Sequence, residues 1–238
     1  MAENKKNIMN MRDGFAPIAN HYDEMMEHVD YDRWFHIATS VGGMLPSPFH
    51  HLEAGCGTGV LMKRLVEVGW DSVGMDFSPA MLRVARHRYR LNRLVQGNFC
   101  ALPFREHFHL ITCLFDSLNF LLTEEAFTEA LGSFYKVLAP NGVFYFDVVT
   151  EKMIADHFEN TSWTENHEKF RTSWVSAYER STSTCETRVR INSGEESITY
   201  ERIYPTKFIL DALAETGFEL LGIRDANTWK EPTRRTTR

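Results

Sequence analysis

The chain has 238 residues, of which 43% are apolar and 13% aromatic, so it can bury a full hydrophobic core. Its net charge of −6 at pH 7 argues against a nucleic-acid partner, because nucleic-acid-binding proteins usually carry a basic surface. No uninterrupted run of about 18 apolar residues occurs, which predicts that no segment crosses a membrane.

The four cysteines (Cys56, Cys100, Cys113 and Cys185) are isolated, with no CxxC pair and no spacing typical of a metal site. We therefore expect reduced thiols, no bound metal and a cytoplasmic protein. The opening residues carry charge without a following apolar stretch, so no secretory signal is predicted.

The first two thirds of the chain alternate between helix and strand patterns. Residues 13–44 favour helix, with a break near Asp30 and an end at Gly42-Gly43. Ser78 with Pro79, and Thr123, are the predicted starts of two later helices. Strands are predicted at 49–55, 71–77, 93–99, 109–117 and 142–149, and the helices between them at 58–70, 78–91 and 123–140.

Residues 151–205 alternate apolar or aromatic with polar residues, which is typical of antiparallel hairpins. A helix pattern returns at 206–218, with Thr206 as the predicted cap and Gly217 as the stop, and a strand pattern follows at 219–226. We predict an α/β fold with a doubly wound, mostly parallel, Rossmann-like sheet and helices on both faces. Residues 1–150 and 206–238 would form this domain, and residues 151–205 a small antiparallel β insertion between its fifth and sixth strands.

The stretch "EAGCGTG" (residues 53–59) joins the first strand to the next helix, and "DFSPAML" (residues 76–82) follows the second strand. Glycines in such a turn bring backbone N–H groups and a helix N-terminus close to a ligand. The position of the third glycine of the dinucleotide fingerprint is Val60, which argues against a nicotinamide-dependent oxidoreductase. Asp76 ends the second strand, where a carboxylate can accept the hydroxyls of a ribose. The pattern predicts a nucleoside ligand without requiring a pyrophosphate.

Five motifs, in this order, resemble those of the class I S-adenosylmethionine-dependent methyltransferases: "LEAGCGTG", "VGMDFSPAML", "GNFCALPF", "LITCLFDSLNFL" and "VLAPNGVFYFDV". Together with residues 13–44 and the β insertion, they are similar to bacterial small-molecule methyltransferases in which N-terminal helices and a β cap close over the cofactor. The resemblance implies S-adenosylmethionine as cofactor, S-adenosylhomocysteine as product, and residues 13–44 as a lid.

The resemblance also implies roles for individual residues. The glycine loop would wrap the methionine part of the cofactor, Glu53 would reach its amino group, and Asp76 would take the ribose hydroxyls. Asn98 stands where the family often has an acid. The implied cofactor residues are Glu53, Gly55, Cys56, Gly57, Gly59, Asp76, Phe77, Met81, Gly97, Asn98, Phe99 and Leu114, with Tyr22 and Trp34 from the lid. For Tyr22 and Trp34, as for Tyr31, ordinary packing is an equally good interpretation.

Methyl transfer from a sulfonium is an in-line displacement that needs proximity and alignment rather than a protein nucleophile. Asp116 and Asn119, just after the fourth strand, are the predicted catalytic residues, and Asp147 is a weaker candidate. Alternatively, Asp116 caps the following turn. The histidines, including the His50-His51 pair, are interpreted as surface or strand-edge residues, and the insertion's aromatic residues as packing.

The predicted function is therefore methyl transfer to a small-molecule acceptor, on nitrogen or oxygen, by a monomer or homodimer. Two alternatives stay open: a methyltransferase acting on tRNA or rRNA, and a non-catalytic module that binds S-adenosylmethionine. Because the family's sheet usually ends in a hairpin beside the fifth strand, we expect the native chain to continue past Arg238 for about one strand.

Overall fold

The computed structural model describes residues 13–238. The secretory-signal prediction rests largely on residues 1–12, which lie outside the described residues. Seven α-helices and nine β-strands are named here in chain order. The helices are α1 (Tyr22–Met25), α2 (Tyr31–Gly42), α3 (Val60–Glu67), α4 (Pro79–Tyr89), α5 (Glu124–Val137), α6 (Glu151–His157) and α7 (Thr206–Thr216). The strands are β1 (His50–Ala54), β2 (Asp71–Asp76), β3 (Leu94–Gln96), β4 (Phe108–Cys113), β5 (Leu138–Phe146), β6 (Thr161–Asn166), β7 (Arg171–Glu179), β8 (Thr184–Ile191) and β9 (Glu196–Arg202).

The first five strands form one parallel sheet in the order β3-β2-β1-β4-β5. The middle strands β1, β2 and β4 are almost wholly buried, because helices cover the sheet on both faces. The strand order reverses between β1 and β4, which opens a crevice at the carboxyl ends of these strands. The predicted fold class is confirmed.

Strands β6 to β9 form a second, antiparallel sheet, which we call the cap sheet. Along β7, buried and exposed residues alternate, so one face of the cap sheet packs inward and the other faces solvent. Trp163 and Trp174 stack as a cross-strand pair, with ring centroids 5.3 Å apart. The predicted β insertion after the fifth strand is confirmed, and it is preceded by helix α6, which the sequence pattern did not predict.

Local capping signals account for most helix ends. Ser78 Oγ accepts from the N–H of Met81 and Thr123 Oγ1 from that of Ala126, as predicted for these two caps. Gly217 ends α7 in the left-handed region, also as predicted. The predicted cap at Thr206 is wrong by one residue, because the cap position is Pro205 and Thr206 is already helical.

Two other predictions are wrong. Residues 219–226 form no strand in the described chain, so no sixth strand extends the parallel sheet. A strand pattern becomes a strand only where a neighbour pairs with its backbone; no strand pairs with this segment, and Leu220 and Leu221 are 53% and 66% exposed. His51 is fully buried rather than at the surface, and its ring nitrogens lie 2.9 Å from Ser72 Oγ and Thr112 Oγ1. Burial lowers the pKa of His51 to about 3.

The segment 13–44, which we call the lid segment, is less helical than predicted. Residues 14–21 form turns, and only α1 and α2 are helical, with Asp30 capping α2. The lid segment lies between the parallel sheet's helices and the cap sheet: Ile18 and Met25 pack with Phe170 and Val189 of the cap region. Within residues 13–238, no helix has the length and apolar content needed to cross a membrane.

Candidate functional site

The glycine loop between β1 and α3 lies in the crevice where the strand order reverses. Gly55, Gly57 and Gly59 all have positive φ angles, of 75°, 55° and 83°, which glycine adopts without a steric penalty. Their surroundings differ. A Cβ on Gly55 would lie 2.5 Å from Ser117 Oγ, and one on Gly59 would lie 2.5 Å from Leu91 Cδ1. A Cβ on Gly57 would meet no atom within 4 Å. Gly57 therefore borders open space, whereas the other two glycines are needed for packing within the protein.

Asp76 holds this loop from the end of β2. Its Oδ2 accepts from the N–H of Gly57 and its Oδ1 from that of Ser78, each at 2.8 Å. Burial raises the pKa of Asp76 to about 6, although the N–H groups of Ser78 and Gly57 oppose this shift by stabilising the anion. Each carboxylate oxygen keeps a second acceptor site, so the residue can support the loop and still accept a hydroxyl.

Glu53, at the end of β1, is 3% exposed, and its Oε2 has no hydrogen-bond partner among the described residues. Burial, with a smaller contribution from Asp76, raises the pKa of Glu53 to about 8. A buried acceptor without a donor costs free energy, and an ammonium group beside it would supply both the donor and the opposite charge. The space beside Gly57 and the unpartnered oxygen of Glu53 thus fit the amino-acid end of S-adenosylmethionine.

The other implied cofactor residues surround the same crevice, with different degrees of exposure. Phe77 is 38% exposed, while Met81 is buried against the lid segment. Asn98 Oδ1 accepts from the N–H of Cys100 at 3.0 Å, so a contact from this amide oxygen to an adenine amino group would use its second acceptor site. The carbonyl of Leu114 accepts from Ser117 Oγ at 2.7 Å.

The remaining implied residues are Cys56, Gly97 and Phe99. Cys56 is buried, and the N–H of Gly97 donates to the carbonyl of Asp76 at 3.0 Å. Phe99 packs against Phe134, with ring centroids 5.5 Å apart. The contact with Asp76 places Gly97 beside the crevice, and the roles of all three residues toward a cofactor stay predictions.

Two carboxylates and one arginine meet beyond the ends of β4 and β5, and the charge of a third carboxylate, Glu201 of the cap sheet, acts on the same arginine. Arg238 Nη2 lies 2.5 Å from Asp116 Oδ2, and its Nη1 lies 3.3 Å from Asp147 Oδ2. The N–H of Asp116 donates to the same Asp147 oxygen at 3.1 Å. Burial opposes the charge of Arg238, but Asp116, Asp147 and Glu201 of the cap sheet raise its pKa above the usual value. We call Asp116, Asp147 and Glu201 the acid cluster.

The two predicted catalytic residues have different surroundings. Asp116 starts the 3₁₀ turn 117–120, but its side chain makes no capping hydrogen bond and instead contacts Arg238. Asn119 is fully buried; its Nδ2 donates to the carbonyl of Arg202 at 2.8 Å and its Oδ1 accepts from the N–H of Val149 at 3.1 Å. Asn119 therefore ties the parallel sheet to the cap sheet, and its contacts favour a positioning role over the predicted catalytic one.

Aromatic residues of the lid segment cover this end of the crevice. Tyr31 and Trp34 pack against Phe115, with ring centroids 5.5 and 4.9 Å away, and the Trp34 ring also lies 5.8 Å from the guanidinium of Arg238. Burial raises the pKa of Tyr22, and the charges of Asp116, Asp76 and Glu201 add to the shift, so its hydroxyl stays neutral. Trp34 is thus both a core residue and a wall of the crevice.

Several site residues were not predicted from the sequence. Asp23 of α1 accepts from Thr58 of the glycine loop, from Arg88 at 2.6 Å and from Tyr89 at 2.7 Å, and so fastens the lid segment to the parallel domain. Glu201 and Arg238 join the site from distant parts of the chain. These residues belong to no motif and show no diagnostic spacing, so only the folded structure brings them together.

Comparison with known proteins agrees with this geometry. Residues 52–142 match a family described as "Methyltransferase domain". The chain is 32% identical over 167 residues to the putative methyltransferase YqeM of Bacillus subtilis, an alignment covering 68% of this chain and 65% of that protein. It is also 33% identical over 138 residues to a demethylmenaquinone methyltransferase of Thermus thermophilus, covering 54% and 60%. The aligned part of the chain therefore spans less than two thirds of the length of either relative.

A solved structure shares the fold. The S-adenosylmethionine-dependent methyltransferase of Clostridium acetobutylicum superimposes with a TM-score of 0.81 at 23% identity, covering 92% of this chain and 94% of the other. The order of the motifs, the parallel sheet with its crevice and these similarities agree with one another. Residues 52–142 thus match a methyltransferase domain, and the chain is similar in sequence and in fold to S-adenosylmethionine-dependent methyltransferases, as its motifs predicted.

Proposed function

We propose that the protein transfers a methyl group from S-adenosylmethionine to a small-molecule acceptor, on nitrogen or oxygen. The main support is the buried Glu53 side chain, which has an unpartnered oxygen at the end of the strand that leads into the glycine loop, where Gly57 borders open space. Several relatives have names that state a small-molecule substrate, such as demethylmenaquinone. Residues 13–150 and 206–238 would bind the cofactor, and residues 151–205 would cap the acceptor.

The cofactor would lie across the ends of β1, β2 and β4. Glu53 would accept from its amino group, Asp76 from its ribose hydroxyls, and Gly55, Cys56, Gly57 and Gly59 would let the backbone approach it closely. The adenine would lie between two groups of residues, which are Phe77 with Met81, and Gly97 with Asn98 and Phe99. Leu114, Tyr22 and Trp34 would enclose the methyl end of the cofactor.

The cofactor, when bound, supplies a methyl group on a positively charged sulfur with a neutral thioether as leaving group. The protein's part is to align the acceptor with that methyl group and to exclude water. Trp34, Tyr22 and Phe115 exclude water from this end of the crevice, and Asp116 is the proposed residue that orients the acceptor. Asn119 would position the loop that carries Asp116.

Cofactor binding is tested by calorimetry with S-adenosylhomocysteine. We expect Asp76→Ala to weaken binding by about 1–3 kcal/mol, because two hydroxyls lose a charged acceptor and the loop loses its anchor. Asp71→Asn is the control, since Asp71 starts the same strand and forms a surface ion pair with Arg93. An Asp76→Ala variant that binds as tightly as the wild type would show that the ribose lies elsewhere.

The alternatives make different predictions. A non-catalytic module would bind S-adenosylhomocysteine but methylate none of a panel of small acceptors, and an RNA methyltransferase would label tRNA or rRNA from radioactive S-adenosylmethionine. We expect label in small acceptors only. This expectation agrees with the net charge of −6 and with the acidic rather than basic side chains in the crevice.

A further inference from the structure

The acid cluster is the feature that the cofactor residues do not use. It lies at the carboxyl ends of β4 and β5, on the edge of the sheet that also carries the glycine loop, and Glu201 of β9 faces it from the cap sheet. Asp116 and Asp147 contact the guanidinium of Arg238, and the charge of Glu201 also acts on it, so the crevice holds more acidic groups than basic ones. Such a concentration of buried acids is costly unless a cation is present.

An independent observation shows that the cluster is incomplete as it stands. Asp147 is 7% exposed, and its Oδ1 has no hydrogen-bond partner among the described residues, although its Oδ2 is bound by Arg238 and by the N–H of Asp116. A buried acceptor without a donor is a place where a ligand donor would be stabilised. The unpartnered Oδ1 belongs to Asp147, whose other carboxylate oxygen already binds the guanidinium of Arg238.

The cation bound by the acid cluster is the side chain of Arg238, a residue that does not belong to the sheet. Arg238 lies outside every helix and strand, and its segment is held through main-chain contacts of Thr236 and Thr237 to Thr150. The Trp34 ring lies 5.8 Å from its guanidinium, within the range of a cation–π contact. The crevice therefore offers both carboxylates and an aromatic face to a cation.

We propose that the methyl acceptor is a basic amine, that Asp116, Asp147 and Glu201 recognise its cationic form, and that Arg238 occupies the acceptor's place in this structure. This inference rests on the proposed methyltransferase function and specifies its substrate class. Charge-assisted hydrogen bonds to carboxylates distinguish an amine from an alcohol of the same shape.

The chemistry requires the amine to lose one proton before it reacts. Burial raises the pKa of both Asp147 and Glu201, so either carboxylate accepts a proton more readily than an exposed acid would. The neutral nitrogen then attacks the methyl carbon: the C–N bond forms, the C–S bond breaks, and its electron pair stays on sulfur. The products are a methylated ammonium and S-adenosylhomocysteine.

Binding of matched probes to the full chain with S-adenosylhomocysteine tests this inference. The probes are 2-phenylethylamine, 2-phenylethanol and phenylacetate, which share an aromatic group suited to Trp34 and differ in the charge they present. By calorimetry, we expect the amine to bind about tenfold or more tightly than the alcohol, and phenylacetate to bind most weakly. Equal binding of the amine and the alcohol would overturn the proposal.

Substitutions at Arg238 and in the acid cluster test which residues determine the affinity for the amine. Arg238→Gln should raise affinity for the amine about tenfold, because it removes the competing cation, whereas the exposed Arg235→Gln control should not. Asp147→Asn and Glu201→Gln should each lower the amine's affinity about tenfold without changing that of S-adenosylhomocysteine, which also reports that the variant is folded. Asp211→Asn, on the outer surface of α7, is the acid-to-amide control.

The outcomes separate this inference from the proposed function. If the wild type does not bind S-adenosylhomocysteine, the methyltransferase function itself fails. If it binds that compound but prefers phenylacetate or the alcohol, or if Arg238→Gln leaves amine affinity unchanged, the substrate class is wrong and the methyltransferase function stands.

Discussion

The parallel sheet and the cap sheet reach the same crevice by different physical means. The strands of the parallel sheet are buried on both faces, and its largest core side chains, such as Phe108, Phe127 and Phe134, are almost completely shielded from water. The cap sheet buries one face, and its outer face carries ion pairs between Arg188 and Glu186 and between Arg190 and Glu196. The parallel sheet thus forms the densely packed base of the crevice. The cap sheet has a smaller core and also depends on contacts with the lid segment.

A comparison of two phenylalanine truncations tests this difference. Phe134→Ala should lower the free energy of unfolding by about 3–5 kcal/mol, because it removes a fully buried ring that stacks on Phe144 at 4.6 Å. Phe170→Ala, in the cap's core beside His21 and His167, should cost less, since its neighbours can close over the gap. Urea denaturation measures both losses, and equal losses would mean that the cap is part of one equally dense core.

Buried ionisable groups should make the parallel sheet's stability depend on pH. The pKa of Glu53 is raised from 4.5 to about 8, so its stabilising contribution is complete below pH 4.5 and is lost as the pH rises to about 8. In the ligand-free protein, Glu53→Gln should therefore become more stable relative to the wild type across this range, by on the order of 4 kcal/mol.

Urea denaturation at intervals between pH 4.5 and 8 measures the effect of Glu53→Gln. Glu195→Gln, in an exposed hairpin turn of the cap sheet, is the control and should leave the profile unchanged. A constant difference between wild type and Glu53→Gln would show that Glu53 is ionised in the folded protein.

Substitutions at two glycines of the same loop should distinguish a role in packing from a role in ligand binding. Gly59→Ala should cost about 2 kcal/mol of stability, because its Cβ would overlap Leu91 as well as adopt an unfavourable φ. Gly57→Ala should cost about 1 kcal/mol, since only the backbone is strained, yet weaken S-adenosylhomocysteine binding the more strongly of the two. Thermal denaturation and calorimetry measure the two effects, and unchanged affinity in Gly57→Ala would mean that the space beside Gly57 is not the ligand site.

The smallest effect is expected where the cap sheet meets the lid segment. Ser197 Oγ donates to the carbonyl of Gly14 at 2.6 Å, and Ser197→Ala should lower stability by about 1 kcal/mol while leaving cofactor affinity intact. Ser193→Ala, in the exposed turn between β8 and β9, is the control for a serine without this contact. A loss in Ser193→Ala as large as in Ser197→Ala would show that the lid–cap hydrogen bond does not contribute.

The features predicted correctly from the sequence are those encoded over short distances. The strand and helix alternation, the caps at Ser78 and Thr123 and the stop at Gly217 depend on residues within a few positions of each other. The strand at 219–226 was wrongly predicted for the opposite reason, because pairing with a neighbour decides whether an apolar pattern becomes a strand. His51 shows the same limit: its burial beside Ser72 and Thr112 follows from two adjacent strands.

The sequence by itself determined the similarity to methyltransferases and the parallel sheet, and it predicted the side of the sheet for the cofactor, because the glycine loop and Asp76 act through backbone geometry that local sequence specifies. Only the tertiary structure brought Asp116, Asp147, Glu201 and Arg238 together. These residues come from four separate segments of the chain. The free energy of their interaction depends on burial and on distance in space, and neither can be read from the amino-acid sequence.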